Sequence, residues 1–433
     1  MSVITDAAKI EQLLTRGVEM AYPNKDAMRQ ALMSGRRLRV YLGVDPTSPT
    51  LHIGHALQLK KLREFQELGH EVILLLGSFT AMIGDPTDKL AARQQLTAEQ
   101  VMANGATYKK QAKKLLKFSG ENAAKLMFNH KWLAKLTMKE VVDLASHFTV
   151  QQMAERDMFR KRLGWHQRVG SNNNETKTLE DGSTVSIPAM ATGYFEPKPV
   201  YLHEFLYPLM QGFDSVAMDV DVELGGSDQT FNMLAGRTLM REMKQKEKQV
   251  LALKLLTNDE GKKMSKSEGG FVAINDVPEE MYGKLMSMSD SMILPYFEIM
   301  TDVPMEEIEG MKLQMAAGTN PRDLKMKLAA NVVTMFHGKA AAKRAAKHFS
   351  TVFQQHEQPT EMVDFQIFAP TNILDVLVAT KLANSRGDGK QLIAGGGVRV
   401  DDVTVTDINL VIDPAKLPAV LQKGKRHFVR LVK

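Results

Sequence analysis

The sequence predicts an α/β fold built on a parallel, nucleotide-binding sheet, and three observations carry that expectation. Val40, Tyr41 and Leu42 end a strand over Leu38 to Val44, which runs through the turn Asp45-Pro46-Thr47-Ser48-Pro49 into a helix. That helix has Thr50 as its expected N-cap and Leu59, Leu62 and Phe65 as its inward face. A second strand, Glu71 to Leu76, follows a stop signal at Gly69. Further on, Gly225-Gly226-Ser227-Asp228-Gln229 makes a tight glycine turn between an alternating strand, Val216 to Leu224, and a helix start. Units of this kind aim free backbone N–H groups at one edge of a sheet, where phosphate binds.

The chain has 433 residues, enough for two or three domains. The formal net charge is +6, a mild basic excess that permits a polyanionic partner. There is no cysteine, which excludes disulfides, thiol catalysis and cysteine metal sites. The histidines lack close metal-ligand spacing, so no metal site is expected. The opening, MSVITDAAKIEQLLTRG, reads as an amphipathic helix carrying acidic residues, not as a signal or transit peptide. No apolar run approaches a membrane span, so a cytoplasmic protein with no membrane partner is expected.

In chain order, residues 5 to 35 look helical. After the second strand comes Gly77 to Pro86, a turn that brings Thr80 and Asp85 to a helix start, with a carboxylate suited to an ammonium group. Residues 97 to 118 read as a basic helix and 137 to 163 as one or two helices. Gly164 to Lys198 holds Ser171-Asn172-Asn173-Asn174 and Asp181-Gly182, strong turn signals that suggest a surface excursion with a short hairpin. The helix over 201 to 212 places Tyr207 and Gln211 on one face, with Asp214 just beyond and a proline at 208 that could kink it. Asp228, after its glycine turn, is placed to accept from ribose hydroxyls. A strand over 249 to 256 delivers Gly261-Lys262-Lys263-Met264-Ser265-Lys266-Ser267-Glu268-Gly269-Gly270, a lid bounded by glycines with ammonium groups for phosphates. Residues 277 to 349 are helical, with a start at Asn320-Pro321, and about 350 to 366 is polar linker. From Asn372 a helix, a basic turn and strands at 398–400, 403–405 and 427–431 follow. The methionines are scattered and read as core filler.

His52-Ile53-Gly54-His55, on the first turn of the helix after the first strand, resembles the first signature of the class I aminoacyl-tRNA synthetases. Lys263-Met264-Ser265-Lys266-Ser267 resembles the second, in the right order. Two histidine donors there could follow charge on a transferring phosphorus, and Gly54 leaves space for a flat ring. Within that class the chain resembles the bacterial tyrosyl-tRNA synthetases along essentially its whole length. The likeness includes Tyr41-x-Gly43-x-Asp45-Pro46-Thr47, Thr80 to Asp85, Tyr207-x-x-x-Gln211-x-x-Asp214, Gly225 to Gln229 and an S4-type tail with Ser385-Arg386, Leu392-Ile393 and Gly396-Gly397-Val398.

That resemblance implies a Rossmann-like parallel-sheet catalytic domain at 1–270 with an insertion at about 164–198. An α-helical tRNA-binding domain at 271–355, a linker at 356–366 and a small α+β S4-like RNA-binding domain at 367–433 would follow. It implies a ligase that activates L-tyrosine with ATP, accompanied by Mg2+ without a dedicated protein site, and transfers it to tRNA(Tyr), as a homodimer. Tyr41 and Asp214 would bond the phenolic hydroxyl. Asp85, Tyr207 and Gln211 would hold the ammonium group, with Thr80 and Asp45 nearby and Gln229 near the reacting carboxylate. Thr47 and His52 would meet the ATP phosphates with His55 alongside, within an ATP site that includes Gly43, Gly54, Gly226 and Asp228. Lys263 and Lys266 would close over the pyrophosphate. A tryptophanyl synthetase would not need the Tyr41 and Asp214 pair. A non-enzymatic RNA-binding relative would be expected to lose histidine or lysine positions. The sequence departs from the family's usual pattern at Glu223, often glutamine, at Gly387, Gly389 and Asp401 in the tail, and at the 164–198 insertion.

Overall fold

The computed structural model describes residues 2–85, 96–163, 174–178, 184–188, 199–257, 272–354, 362–401, 403–424 and 427–433. They form two compact units, Met1–Leu256 and Thr257–Lys433.

The first unit begins with α1 (Ala7–Thr15), β1 (Val18–Tyr22) and α2 (Lys25–Met33), where the sequence suggested one helical stretch. Gly17 sits at φ +66°, which ends the helical path, and β1 then pairs antiparallel with a strand from the far end of the unit. Next come β2 (Arg39–Val44), α3 (Ile53–Glu67) and β3 (Glu71–Leu76), as expected, with Gly69 at φ +91° after α3. The short α4 (Thr80–Ile83) follows. The basic stretch 97–118 is two helices, α5 (Ala98–Gly105) and α6 (Tyr108–Ala112), not one. After β4 (Lys125–Phe128) and α7 (His130–Leu133) come three short helices, α8 (Met138–Ser146), α9 (Val150–Ala154) and α10 (Asp157–Leu163). Thr137 and Thr149 restart the first two of these with capping boxes.

Within the excursion, β5 (Asn174–Thr178) and β6 (Thr184–Pro188) pair as an antiparallel hairpin, as expected; Asp181 and Gly182 lie outside the described residues. Helix α11 (Leu202–Met218) runs straight through Pro208 and Asp214, so Val216 to Met218 are helical, not strand. It ends at Asp219 with φ +49°, and β7 (Val222–Gly226) is fully buried. α12 (Thr230–Lys244) and β8 (Gln249–Leu253) complete the unit.

The sheet order is β1-β8-β7-β2-β3-β4, parallel throughout except for β1. β2, β3 and β8 are largely apolar runs, as strands covered by helices require (Val72 to Leu76 are all buried). The chain order reverses between β7 and β2, so a crevice opens beyond the carboxyl ends of these two strands.

The second unit holds α13 (Pro278–Met286), α14 (Ile293–Met300), α15 (Met305–Ala316), α16 (Pro321–His337) and α17 (Lys339–Gln354). Asn320 caps α16 through its side chain and Pro321 takes its first turn, as expected. β9 (Val363–Gln366), within the stretch read as linker, is a strand. The tail continues with β10 (Thr371–Asn372), α18 (Ile373–Ala379), α19 (Arg386–Ala394), β11 (Val398–Val400), β12 (Val403–Thr404), β13 (Val411–Ile412), β14 (Ala419–Lys423) and β15 (His427–Val432). Its sheet order is β12-β11-β14-β15-β9, and Ile373, Leu377, Ile393, Val398, Leu421 and Leu431 form its core. Asp401 adopts φ +47° and accepts from the Val420 amide at 2.7 Å. A short polar residue suits that left-handed turn, so this departure from the family pattern keeps the local geometry. A Cβ on Gly389 would lie 3.1 Å from Leu374, tight against α18.

Candidate active site

α3 begins two residues later than expected: its N-cap is His52, not Thr50. His52 Nδ1 accepts from the Gly54 amide at 3.1 Å, and the His52 amide donates to His55 Nδ1 at 3.2 Å. The two rings lie 3.9 Å apart and satisfy the helix's own first amides. A Cβ on Gly54 would lie 2.9 Å from the His52 ring, so the flat ring that glycine accommodates is that of His52. Thr47 is exposed in the preceding turn, its amide on the Asp45 carbonyl at 2.8 Å, and Gly43 is exposed at the end of β2.

Asp45 lies between two hydroxyl donors, Thr80 Oγ1 to Oδ1 at 2.7 Å and Tyr207 to Oδ2 at 2.8 Å. Burial pushes its carboxyl up to about 7 against the pull of those two donors. Gly77 makes this possible: a Cβ there would fall 1.8 Å from Asp45 Oδ1 and 2.4 Å from Thr80 Oγ1. Asn129, fully buried, takes the Phe79 amide at 2.8 Å and donates to Thr80 Oγ1 at 3.1 Å and to Asp214 Oδ2 at 3.2 Å. Trp132 Nε1 donates to the other oxygen of Asp214 at 2.7 Å. Burial pushes Asp214 well up; the Trp132 and Asn129 donors oppose it.

The opposite wall is continuous. Gln229 donates to Asp85 Oδ2 at 2.6 Å, and Asn232 donates to Gln229 Oε1 at 3.0 Å and Gln211 Oε1 at 2.9 Å. Gln211 in turn donates to Glu223 Oε1 at 3.2 Å. Glu223 pairs with Lys248, whose Nζ also donates to Ser215 Oγ and to the Met233 carbonyl, both at 2.9 Å. Ser215 Oγ lies 3.0 Å from the Tyr41 hydroxyl. Tyr41 is 1 % exposed, and burial holds its hydroxyl, like that of Tyr207, well above the usual phenol range.

The expected residues Tyr41, Asp45, Thr80, Asp85, Tyr207, Gln211, Asp214 and Gln229 are thus brought together, but Asp85 does not stand open. Arg156 Nη2 lies 3.3 Å from its Oδ1, and Gln229 holds its Oδ2. Gly226 leaves room for Asp228, whose Oδ1 would lie 2.4 Å from a Cβ there. Lys263, Lys266 and the rest of the lysine loop lie outside the described residues. Asn129, Trp132, Arg156, Ser215, Asn232 and Lys248 went unseen in the sequence. Asn232 sits one helical turn after Gln229, a spacing that could have pointed to it. Lys248 was hidden in Lys246-Glu247-Lys248, which looks like a solvated charge run.

Burial holds the carboxyls of Asp45 and Asp214 above the usual carboxylate range, and a cation brought beside them would let them ionise, which favours a ligand that brings an ammonium group. The buried hydroxyl and carboxylate at Tyr41 and Asp214 favour one that also brings a polar end. Among the described residues, no group of three or more His, Asp or Glu is placed to hold a metal ion.

The family model for class I tRNA synthetases (W and Y) matches residues 33–354, and the S4 domain model matches 373–415. The tyrosine–tRNA ligase of Carboxydothermus hydrogenoformans is 40% identical over 434 residues, 97% of each chain. That of Photobacterium profundum is 42% identical over 428 residues, 98% of this chain and 99% of its own. Among solved structures, the C-terminally truncated mitochondrial tyrosyl-tRNA synthetase of Coccidioides posadasii is 25% identical. It covers 78% of this chain and 91% of its own, with a TM-score of 0.58.

Proposed function

The chain belongs to the class I tRNA synthetases of the tryptophan and tyrosine type, and on that premise we propose how its pocket selects and activates its substrate. Its activity is that of a tyrosine–tRNA ligase, which uses ATP to charge tRNA with tyrosine. The observation that supports the residue roles is that Tyr41 and Asp214, both buried, end two separate hydrogen-bond networks, Tyr41 on the one that reaches Asp85 and Asp214 on the one that reaches Asp45.

In this reading the phenolic hydroxyl of tyrosine lies between Tyr41 and Asp214. Its ammonium group goes to Asp85, Tyr207 and Gln211, with Asp45 and Thr80 beside it. The ammonium replaces the Gln229 amide on Asp85, and the released amide turns to the substrate carboxylate. ATP lies over Gly43, Gly54 and Gly226, with its ribose on Asp228. Its phosphates meet Thr47, His52 and His55, whose rings leave the α3 amides as the phosphate takes their place. The tyrosine carboxylate attacks the α-phosphorus, the bond to pyrophosphate breaks, and Lys263 and Lys266 take up the charge that leaves. The adenylate then passes its acyl group to the terminal ribose of the tRNA. No covalent bond to the protein is needed, so positioning and fixed charge carry the rate. Mg2+ accompanying ATP would supply neutralisation of phosphate charge, without a dedicated protein site.

We take residues 1–270 as the catalytic domain, 271–355 as a helical tRNA-binding domain and 367–433 as the S4-like module. We place the protein in the cytoplasm; no described helix is long and apolar enough to cross a membrane. A homodimer would use the 128–165 stretch, where Met138, Val142 and Val150 are exposed; sedimentation showing a monomer that still charges tRNA would rule it out. The test of the central reading is pyrophosphate exchange with each proteinogenic amino acid. Tyrosine alone should support it, and exchange driven by tryptophan would overturn the assignment of Tyr41 and Asp214.

A further inference from the structure

Lys248 has no exposed surface, lies beneath the pocket rather than in it, and has no part in the chemistry just described. An ammonium group has three protons and accepts nothing. Three acceptors surround it: Glu223 Oε2, Ser215 Oγ and the Met233 carbonyl. Ser215 Oγ therefore receives a hydrogen bond from Lys248 and has one proton to give. Two oxygens are within its reach, the Tyr41 hydroxyl at 3.0 Å and Glu223 Oε2 at 3.4 Å. The second is the more distant and already takes a proton from Lys248. Ser215 then donates to Tyr41, and the proton of Tyr41 is left for the ligand or, with the site empty, for Glu223, whose carboxylate also acts on that hydroxyl. At the far end Asp214 is built as an acceptor, with Trp132 and Asn129 both donating to it.

We propose that Lys248 is a specificity-determining positioning residue, the start of a one-way hydrogen-bond chain that runs Lys248, Ser215, Tyr41, substrate phenol, Asp214. The proposal rests on the reading that Tyr41 and Asp214 take the phenol hydroxyl. An ammonium stands at one end and a carboxylate at the other, so each hydroxyl donates in the same direction and each bond polarises the next. The Lys248 charge makes Tyr41 a donor. The ligand group that completes the chain must accept from Tyr41 and donate to Asp214 at once. A phenol does both, and a phenyl ring leaves both ends unmet.

The experiment measures pyrophosphate exchange with tyrosine and with phenylalanine for Ser215→Ala, for the paired Lys248→Met/Glu223→Gln, which removes both buried charges together, and for all three changes combined. Each of the first two should raise the tyrosine KM and lower the tyrosine/phenylalanine ratio of kcat/KM by about tenfold, with kcat for tyrosine and both constants for phenylalanine little changed. Because the chain acts as a unit, the combined variant should lose no more than either alone. A structural role for Lys248 would instead lower activity with both amino acids in parallel, and additive losses would mean that the residues act independently; either result overturns the proposal. Should the paired variant fail to fold, Ser215→Ala decides, since an unchanged ratio there breaks the chain at its middle. Tyr41→Phe separates the two readings. If it leaves the ratio unchanged, the pocket assignment itself is wrong. If it lowers the ratio while Ser215→Ala does not, only the chain is wrong.

Discussion

The Tyr207 hydroxyl donates to Oδ2 of Asp45 at 2.8 Å, tying the middle of α11 to the turn after β2. Together with Thr80 it only partly offsets the burial that raises the Asp45 carboxyl from 3.8 to about 7. Between those values the folded chain holds a proton that the unfolded chain has lost. This contribution to stability is therefore full below about pH 4 and is lost as pH rises to about 7, at about 1.4 kcal/mol per pH unit at most. Asp45→Asn should melt with a shallower decline from pH 5 to pH 8 than the parent. Parallel melting curves would show that another group titrates there.

With Tyr41 donating to the phenol as proposed, Tyr41→Phe would remove that donor and should narrow the preference for tyrosine over phenylalanine in the exchange assay. A hydrogen bond between uncharged groups contributes about 0.5–1.5 kcal/mol, so the ratio of kcat/KM should fall by roughly two- to thirteenfold. An unchanged ratio would mean that the pocket is misassigned.

Gly77→Ala should cost about 1–3 kcal/mol of stability and raise the tyrosine KM. The added methyl group occupies the place of the Asp45 carboxylate and the Thr80 hydroxyl. Gly310→Ala is the control. It lies within α15 with nothing within 4 Å of the new carbon, so it should be neutral or slightly stabilising. Equal effects at the two sites, measured by denaturant unfolding, would mean that Gly77 has no special place.

Lys266→Ala should slow adenylate formation far more than it weakens tyrosine binding, because the contact proposed between it and the departing pyrophosphate would strengthen in the transition state. Single-turnover kinetics beside equilibrium tyrosine binding would read the two separately. Equal losses would contradict a transition-state role.

Deleting residues 360–433 should leave tyrosine-dependent exchange nearly intact, cut aminoacylation of tRNA severely and flatten its salt dependence. The basic residues Lys381, Lys390, Arg399 and Lys423 remain the expected phosphate contacts. Arg386 pairs with Asp375, and Lys425 and Arg426 lie outside the described residues. Parallel loss of both reactions on one truncated preparation would refute an RNA-binding role for the tail.

The sheet strands beside the pocket were legible because β2, β3 and β8 are apolar runs bounded by turn residues. The residues from Tyr41 to Gln229 that the structure brings together were named through resemblance. What stayed hidden has physical causes. Val18–Tyr22 reads as helix in the sequence because it is an edge strand whose partner, β8, lies at the other end of the unit, so nothing local marks it. α11 was cut short at Gly212 because glycine usually ends a helix. Here it lets α12 approach, with the Gly236 amide 3.0 Å from where a Cβ would stand. Ser215, Asn129 and Lys248 are polar residues in buried places, and hydrophobic periodicity carries no mark for a polar group whose partners come from distant strands.

The strand order carries a consequence for how the molecule is made. β2 emerges early in synthesis, yet one of its two partners is β7, and β7 needs β8 beside it. Until Val222–Gly226 has been made, Val40–Leu42 keeps one row of backbone groups unpaired on an apolar strand, the kind of edge that invites pairing with another chain. Closing that gap needs contacts between distant parts of the sequence, which slows folding. Tyr41 on β2 and Gln229 just after β7 come from the two sides of this seam, so they are brought together only once β7 has been made. On the proposed reading, a chain able to hold its amino acid would have completed this part of the sheet.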